Sequence, residues 1–250
     1  MTAPRPTDTL ADPPGGCGPA RERPSARPAG RLALFDLDHT LLTGDSDVLW
    51  CEFLMDAGVL DRAGFEPRND DVARRYGEGS VSAQEFCDFY VSTLAGRTLA
   101  EWRPWCERFL SEVVAPRIPA SARALVESLR ARGDRLVMTT ATNRVLTELT
   151  AQHLRIDDLL ATEVEVVDGR CTGRTRGVLN MREGKVMRLR SWLVEQALAA
   201  DALADATFYS DSGNDQPLLQ AVGRPVVVDP DARLRQHALA AGWPVMEMPR

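Results

Sequence analysis

The residues best suited to chemistry begin at Asp36-Leu37-Asp38-His39-Thr40. An apolar run, Leu32-Ala33-Leu34-Phe35, precedes them and stops abruptly at the first aspartate. This pattern predicts a buried parallel strand that releases two carboxylates, two residues apart, from its carboxyl end. Both then leave on the same side, into the crevice where open α/β sheets bind ligands. Close like charges repel, and a divalent cation relieves them. Oxygen-only donors favour Mg²⁺ over zinc. A plainer reading is an aspartate that caps the next turn, because D-x-D alone is a common string.

Three further pieces carry chemistry of the same kind. Tyr209-Ser210-Asp211-Ser212-Gly213-Asn214-Asp215 follows another apolar run and opens a helix. Asp211 and Asp215 are four apart and face one crevice across the strand-to-helix turn, while Gly213 permits close backbone approach. Its plainer reading is a helix N-cap by Asp211 or Ser212, and the two readings are compatible. Thr139-Thr140 ends a second strand and Asn143 starts a helix, which offers a hydroxyl and free N–H groups to an oxyanion or phosphate. Lys185 is the only lysine, since the other 29 of the 30 basic residues are arginine. Arginine replaces lysine badly where a compact ammonium is needed, so this lysine reads as more than a solvated charge. Together the pieces supply a nucleophilic carboxylate, an acid/base carboxylate, metal ligands, a hydroxyl and a cation. That inventory suits phosphoryl transfer, where positioning and charge neutralisation carry the catalysis.

The elements that must position these groups follow from periodicity. Strands are predicted at 32–35, 135–139, 206–210 and 225–228. Helices are predicted at 119–132, 142–153, 182–200, 214–221 and 230–241. Their alternation predicts an α/β fold with a Rossmann-like parallel sheet covered on both faces. Residues 46–117 break the alternation and read as helices only, at 46–58, 70–77, 82–95 and 99–115. Trp102, Trp105 and Phe109 recur there at helical spacing and read as a packed face. The predicted organisation is a core of residues 31–45 and 118–250, with 46–117 inserted after the first motif as a helical cap over the strand ends. Residues 163–173 read as a hairpin turning at Asp168-Gly169.

Composition removes several classes. The 250 residues are 44% hydrophobic and 26% charged, with net charge −6, so neither a disordered chain nor a general nucleic-acid binder is expected. No apolar run approaches the roughly 18 residues that span a bilayer, so no membrane partner is expected. The five cysteines (Cys17, Cys51, Cys87, Cys106, Cys171) form no C-x-x-C pair. They suggest neither a zinc site nor a disulfide framework, and a reducing cytoplasm is the expected location. Residues 1–30 hold seven of the sixteen prolines and almost no apolar residues, so a disordered tail is expected there, not a secretory leader.

The order Asp-x-Asp-x-Thr, then Thr after a strand, then Lys, then Asp-Ser-x-x-Asp resembles the haloacid dehalogenase superfamily. FDLDHTLLTGDSD, EGKVMRLRSWL and FYSDSGNDQPLLQAVGRPVVVDPDARL carry the likeness, over about residues 31–245. Within it the chain is similar to the phosphoserine-phosphatase-like branch, whose helical cap lies between the first two motifs, and to its proteobacterial histidinol-phosphate phosphatases. The resemblance implies a phosphatase in which Asp36 attacks phosphorus and forms an aspartyl-phosphate. It implies Asp38 as general acid and then base. It implies Mg²⁺ held by the Asp36 and Asp211 carboxylates and the Asp38 carbonyl, with Asp215 in support. Thr140 and Lys185 would hold the phosphoryl oxygens.

Members that act on phosphoserine carry Glu shortly after the first motif, where it meets the substrate ammonium. Asp45 and Asp47 stand nearest to that position here. The expected substrate is therefore a small amino-bearing phosphorylated metabolite, histidinol phosphate first and phosphoserine second. Transfer to an acceptor other than water is a variant of the same mechanism. The cap arginines Arg68, Arg74 and Arg75 read either as carboxylate binders or as a solvated face, and His39 reads as a turn residue. Two other classes fit less of the sequence. A D-x-D glycosyltransferase leaves Lys185, Asp211 and Asp215 unused. A phosphorylatable receiver-type switch has no place for a 70-residue helical insertion.

Overall fold

The computed structural model describes residues 30–77 and 80–250. The tail expected over 1–30, with Cys17, lies outside the described residues but for Gly30. In chain order the main elements begin with β1 (Leu32–Phe35), α1 (Ser46–Asp56), α2 (Arg62–Gly77), α3 (Ala83–Val91), α4 (Leu99–Phe109) and α5 (Ala120–Ala131). They continue with β2 (Arg135–Asn143), α6 (Arg144–His153), β3 (Asp158–Val167), β4 (Arg170–Arg176) and α7 (Glu183–Glu195). The chain closes with β5 (Thr207–Ser210), α8 (Gln216–Ala221), β6 (Arg224–Val228), α9 (Ala232–Ala241) and β7 (Val245–Met246).

The fold is α/β with a Rossmann-like sheet. Its strand order is β4-β3-β2-β1-β5-β6-β7, parallel throughout except for the antiparallel β3–β4 pair. β1 is central and buried on both faces, as a continuous apolar run requires. Phe35 pairs with Met138 on β2 and with Tyr209 on β5. That register carries Asp36 to the level of Thr139 and Ser210, so β1 and β5 end together against the middle of β2. Leu34, Val137, Phe208 and Val227 pack on one sheet face against Leu189 and Leu218 from α7 and α8.

On the other face, Phe35 and Met138 join a core that runs on into the helices of residues 46–117. Trp50 of α1 lies edge-on to Trp102 at 5.6 Å and to Phe109 at 5.2 Å, so the α4 aromatics form the packed face that their spacing predicts. A capping box between Thr98 and Glu101 starts α4. The described part of residues 46–117 contains no strand. The β3–β4 hairpin turns at Asp168-Gly169 as expected, and β4 leans on these helices. Asp88 of α3 accepts from both the N–H and the hydroxyl of Thr175 at 2.8 Å. Gly173 makes that approach feasible: its φ is +85°, and a Cβ there would lie 3.0 Å from Ala95 Cβ.

Several bounds differ from expectation, each for a physical reason. β2 runs to Asn143 instead of 139, because Asn143 pairs with Thr162 on β3 beyond an irregularity after Thr140. α6 therefore starts at Arg144, where the Asn143 side chain accepts the Leu146 N–H. α2 begins at Arg62, not 70, and carries Pro67 within it, so neither its start nor an apolar face was marked. α4 ends at Phe109 and loosens into a π turn over Leu110–Val114. α7 stops at Glu195, with Ala197 at a left-handed φ of 52°. β7 is a two-residue edge strand with too little sequence to announce itself. Among the described residues, no helix is long and apolar enough to cross a membrane.

Candidate active site

The ends of β1, β2 and β5 and the first turn of α7 enclose a cavity of about 200 Å³. Lys185 sits in that first turn, and its ammonium donates to Asp36 Oδ1 at 2.8 Å and to Asp215 Oδ2 at 2.7 Å. All three side chains are almost fully buried. Asp215 Oδ2 also accepts the Ser210 hydroxyl at 2.7 Å. The backbone before α7 is strained, with Arg182 at φ 52°, and Gly184 follows with no room for a side chain. That tight entry aims Lys185 into the cleft.

Asp38 is held on both oxygens. Oδ1 accepts the Ser46 N–H at 2.7 Å and Oδ2 accepts the Thr142 hydroxyl at 2.9 Å. Asp211 Oδ1 accepts the Thr40 hydroxyl at 2.9 Å, and the Asp211 N–H returns a bond to the same hydroxyl oxygen at 3.0 Å. Asp45 caps α1 by accepting the Val48 N–H. Asp47, one residue into that helix, accepts weakly from Thr142 through Oδ2 at 3.3 Å, while among the described residues its buried Oδ1 has no partner. Phe86 reaches the same cleft from α3.

The acidities record the crowding. Burial pushes the Asp36 carboxyl well above the usual carboxylate range; Lys185 opposes this, and Asp215, Asp211 and Asp38 add to it. Burial likewise raises Asp211 to about 6, against its hydrogen bond from Thr40. Burial and the neighbouring Asp38 raise Asp45 to about 6, and burial with Asp45 and Asp38 pushes Asp47 well up. For Lys185, burial alone would depress the ammonium, but the Asp215 and Asp36 carboxylates more than reverse this and hold it charged.

Six aspartates thus line the cleft against one lysine. Among the described residues, no group of three or more His, Cys, Asp or Glu side chains forms a ready ligand cluster. The donor set expected from the sequence is smaller, two carboxylates and a carbonyl. Its oxygen-only chemistry and surplus negative charge fit a hard divalent cation, not a thiolate- or imidazole-seeking metal.

Seven of the eight residues singled out from the sequence line this one cleft: Asp36, Asp38, Asp45, Asp47, Lys185, Asp211 and Asp215. Thr140 lies behind the wall, fully buried, with its hydroxyl accepting the Thr142 N–H at 3.2 Å. Ala141 and Thr142 form the wall instead. Thr142 and Phe86 were not singled out. The longer β2 carries the buried Thr142 to the cleft, and Phe86 gave no signal beyond an ordinary helix face. The arginines of residues 46–117 have other partners: Arg74 and Arg75 pair with Asp71, Arg75 also with Glu85, and Arg68 lies over Phe89. His39 occupies the turn after Asp38 at φ 55°, its N–H donating to Gly44 O.

The sheet topology and the acid–lysine constellation define a hydrolase of known family. Residues 33–220 match the haloacid dehalogenase-like hydrolase family, and the chain belongs to it. A histidinol-phosphatase of Neisseria meningitidis serogroup C (strain 8013) is 36% identical over 216 residues, covering 86% of this chain and 97% of that one. The phosphoserine phosphatase SerB1 of Mycobacterium tuberculosis is 32% identical over 232 residues, covering 86% and 70%. A crystal structure of a protein of unknown function from Bordetella pertussis Tohama I superposes with a TM-score of 0.83 at 42% identity, covering 87% and 98%. The protein is a phosphatase.

Proposed function

We propose that this phosphatase is a Mg²⁺-dependent phosphomonoesterase that works through an aspartyl-phosphate on Asp36 and takes histidinol phosphate as its substrate. The observation that carries the substrate choice is the charge of the cleft. Among its described lining residues there are six aspartates and no arginine. Phosphoserine brings a carboxylate into that field, whereas histidinol phosphate brings an amine and an imidazole and no carboxylate. Asp45 and Asp47 receive the cationic end, and the unpartnered Asp47 Oδ1 is the acceptor left open for it. The name of the Neisseria relative supports the same substrate.

In this reading Asp36 attacks phosphorus as the bond to the alcohol oxygen breaks, and Asp38 gives that oxygen its proton. Asp38 then takes a proton from the water that attacks the phospho-aspartate, and phosphate leaves with Asp36 restored. Lys185, 2.8 Å from Asp36, holds a phosphoryl oxygen and offsets the negative charge gathered there. Thr140 is assigned a second phosphoryl oxygen, which its buried hydroxyl meets only when the Ala141–Thr142 wall gives way; that hydroxyl accepts the Thr142 N–H and keeps its own proton to donate. Asp36, Asp211 and the Asp38 carbonyl, with Asp215 in support, would hold Mg²⁺, which would supply further charge neutralisation at the phosphoryl group. Residues 31–45 and 118–250 act as the core and 46–117 as a cap that excludes water. The four described cysteines, all free, accord with a cytoplasmic location.

The test is phosphate release with and without Mg²⁺ from histidinol phosphate, phosphoserine, a sugar phosphate, a nucleotide and p-nitrophenyl phosphate, with Asp36→Asn as control. Metal-dependent turnover of histidinol phosphate, lost in the control, is the expected result. A preference for phosphoserine overturns the substrate assignment and leaves the mechanism standing. Full activity in the control overturns the aspartyl-phosphate mechanism.

A further inference from the structure

One hydroxyl joins the two carboxylates to which the proposed function gives different work. Thr142 Oγ1 lies 2.9 Å from Asp38 Oδ2 and 3.3 Å from Asp47 Oδ2, and it receives the Ser46 hydroxyl at 3.0 Å. Thr142 is 2% exposed and Ser46 is 2% exposed, so water does not compete for these bonds. Asp38 Oδ1 is tied by the Ser46 N–H at 2.7 Å.

We propose that Thr142 is a positioning residue for Asp38: its hydroxyl fixes the carboxyl plane in which proton transfer to and from the substrate takes place. The inference rests on the acid–base role assigned to Asp38. The physical reason lies in the torsions of the side chain. A carboxyl group anchored on one oxygen keeps its χ2 rotation, which is broad and soft. A second anchor on the other oxygen removes that freedom, and with it the misaligned orientations from which no proton transfers. Ser46 supplies the first anchor from the start of α1, and Thr142 supplies the second from the end of β2. The two are also bonded to each other, so the pair closes a ring around Asp38 from both sides of the cleft.

Position explains why a threonine serves. Its β-branched side chain is stiff and suits the extended backbone that β2 keeps through Asn143. Ser46 donates into the hydroxyl oxygen, which leaves the Thr142 proton free to be aimed outward. Asp47 offers that proton a second, more distant acceptor, so the carboxylate that faces the substrate amine and the one that moves the proton share a donor.

The experiment compares wild type with Thr142→Val and Thr142→Ser for histidinol phosphate turnover. Valine keeps the shape and the β-branch and removes the hydroxyl; serine keeps the hydroxyl. The expected result is a kcat lower by roughly 10- to 100-fold in T142V, the scale of one hydrogen bond to a charged group, with KM changed by less than about threefold. T142S is expected to recover most of the loss. Asp38→Asn supplies a background free of folding arguments: with the acid gone, adding T142V is expected to cost nothing more. Wild-type turnover with T142V equally active overturns this inference and leaves the proposed function intact. So does a T142S as impaired as T142V, or a full further loss in the D38N background. Wild-type enzyme that releases no phosphate from any ester overturns both.

Discussion

Lys185 Nζ stands 2.8 Å from Asp36 Oδ1, joining two residues 149 positions apart in a site that is closed to water on nearly every side. The same ammonium reaches Asp215 at 2.7 Å. One compact cation therefore satisfies two buried carboxylates at once. A guanidinium spreads its charge over a plane and cannot put a single nitrogen between them.

Replacing the lysine tests that geometry. In Lys185→Arg, kcat/KM is expected to fall at least about 100-fold, because the charge survives but its placement does not. In Lys185→Met, two buried carboxylates lose their counter-charge, at a cost of roughly 3–5 kcal/mol. The sign with pH follows from Asp36, whose carboxyl burial already raises and Lys185 lowers. Without the lysine it rises further, so the folded state binds a proton that the unfolded chain releases. Urea unfolding at pH 5 and pH 8 in EDTA should therefore show the larger deficit at pH 8.

Asp45 predicts a second pH dependence. Its carboxyl sits at about 6 in the folded protein against an ordinary 3.8. Between these values the folded state keeps a proton that the unfolded state gives up, so stability falls as pH rises through the window and is level above it. Asparagine retains the cap on Val48 and carries no charge. Asp45→Asn is expected to be more stable than wild type at pH 8, on the order of 1 kcal/mol, with the gain gone near pH 4. Thermal melts at the two pH values, without metal, read this directly.

Asp47 should separate substrates. Among the described residues its buried Oδ1 has no partner, and the proposed function assigns that oxygen to the cationic group of the substrate. Asp47→Asn is expected to raise KM for histidinol phosphate roughly tenfold or more, the scale of a lost charge-assisted hydrogen bond. The penalty for p-nitrophenyl phosphate, which has no amine, is expected to be clearly smaller. Equal penalties for the two esters would remove Asp47 from amine recognition.

Gly184 should tolerate nothing larger. A Cβ there would lie 2.0 Å from the Leu179 carbonyl oxygen, a backbone atom that has nowhere to go. Gly184→Ala is expected to cost roughly 3 kcal/mol or more in stability and to shift Lys185, the next residue, out of its bridge. Denaturant unfolding and phosphate release should fail together in this variant.

The acids and the lysine were legible because each is marked by a local contrast. Asp36 and Asp211 end apolar runs without transition, and Lys185 stands alone in an arginine-rich chain. Strand and helix alternation gave the sheet, and the aromatic spacing of α4 gave its buried face. Other features left little mark. Pro67 and a polar surface hid the first half of α2, and the reach of β2 to Asn143 depends on pairing with β3.

What the sequence determined by itself is the chemistry available: which side chains carry charge, which runs must be buried, and in what order they occur. What only the tertiary structure decided is who meets whom. Thr140 reads as the phosphate hydroxyl, yet Thr142, two residues on, bonds Asp38. That choice depends on β1 lying between β2 and β5 with Phe35 level with Met138 and Tyr209. It depends also on α1 bringing Ser46 and Asp47 to the end of β2. Periodicity is a property of neighbours along the chain, whereas hydrogen bonds need atoms within about 3 Å in space. Register and packing across more than a hundred residues set those distances.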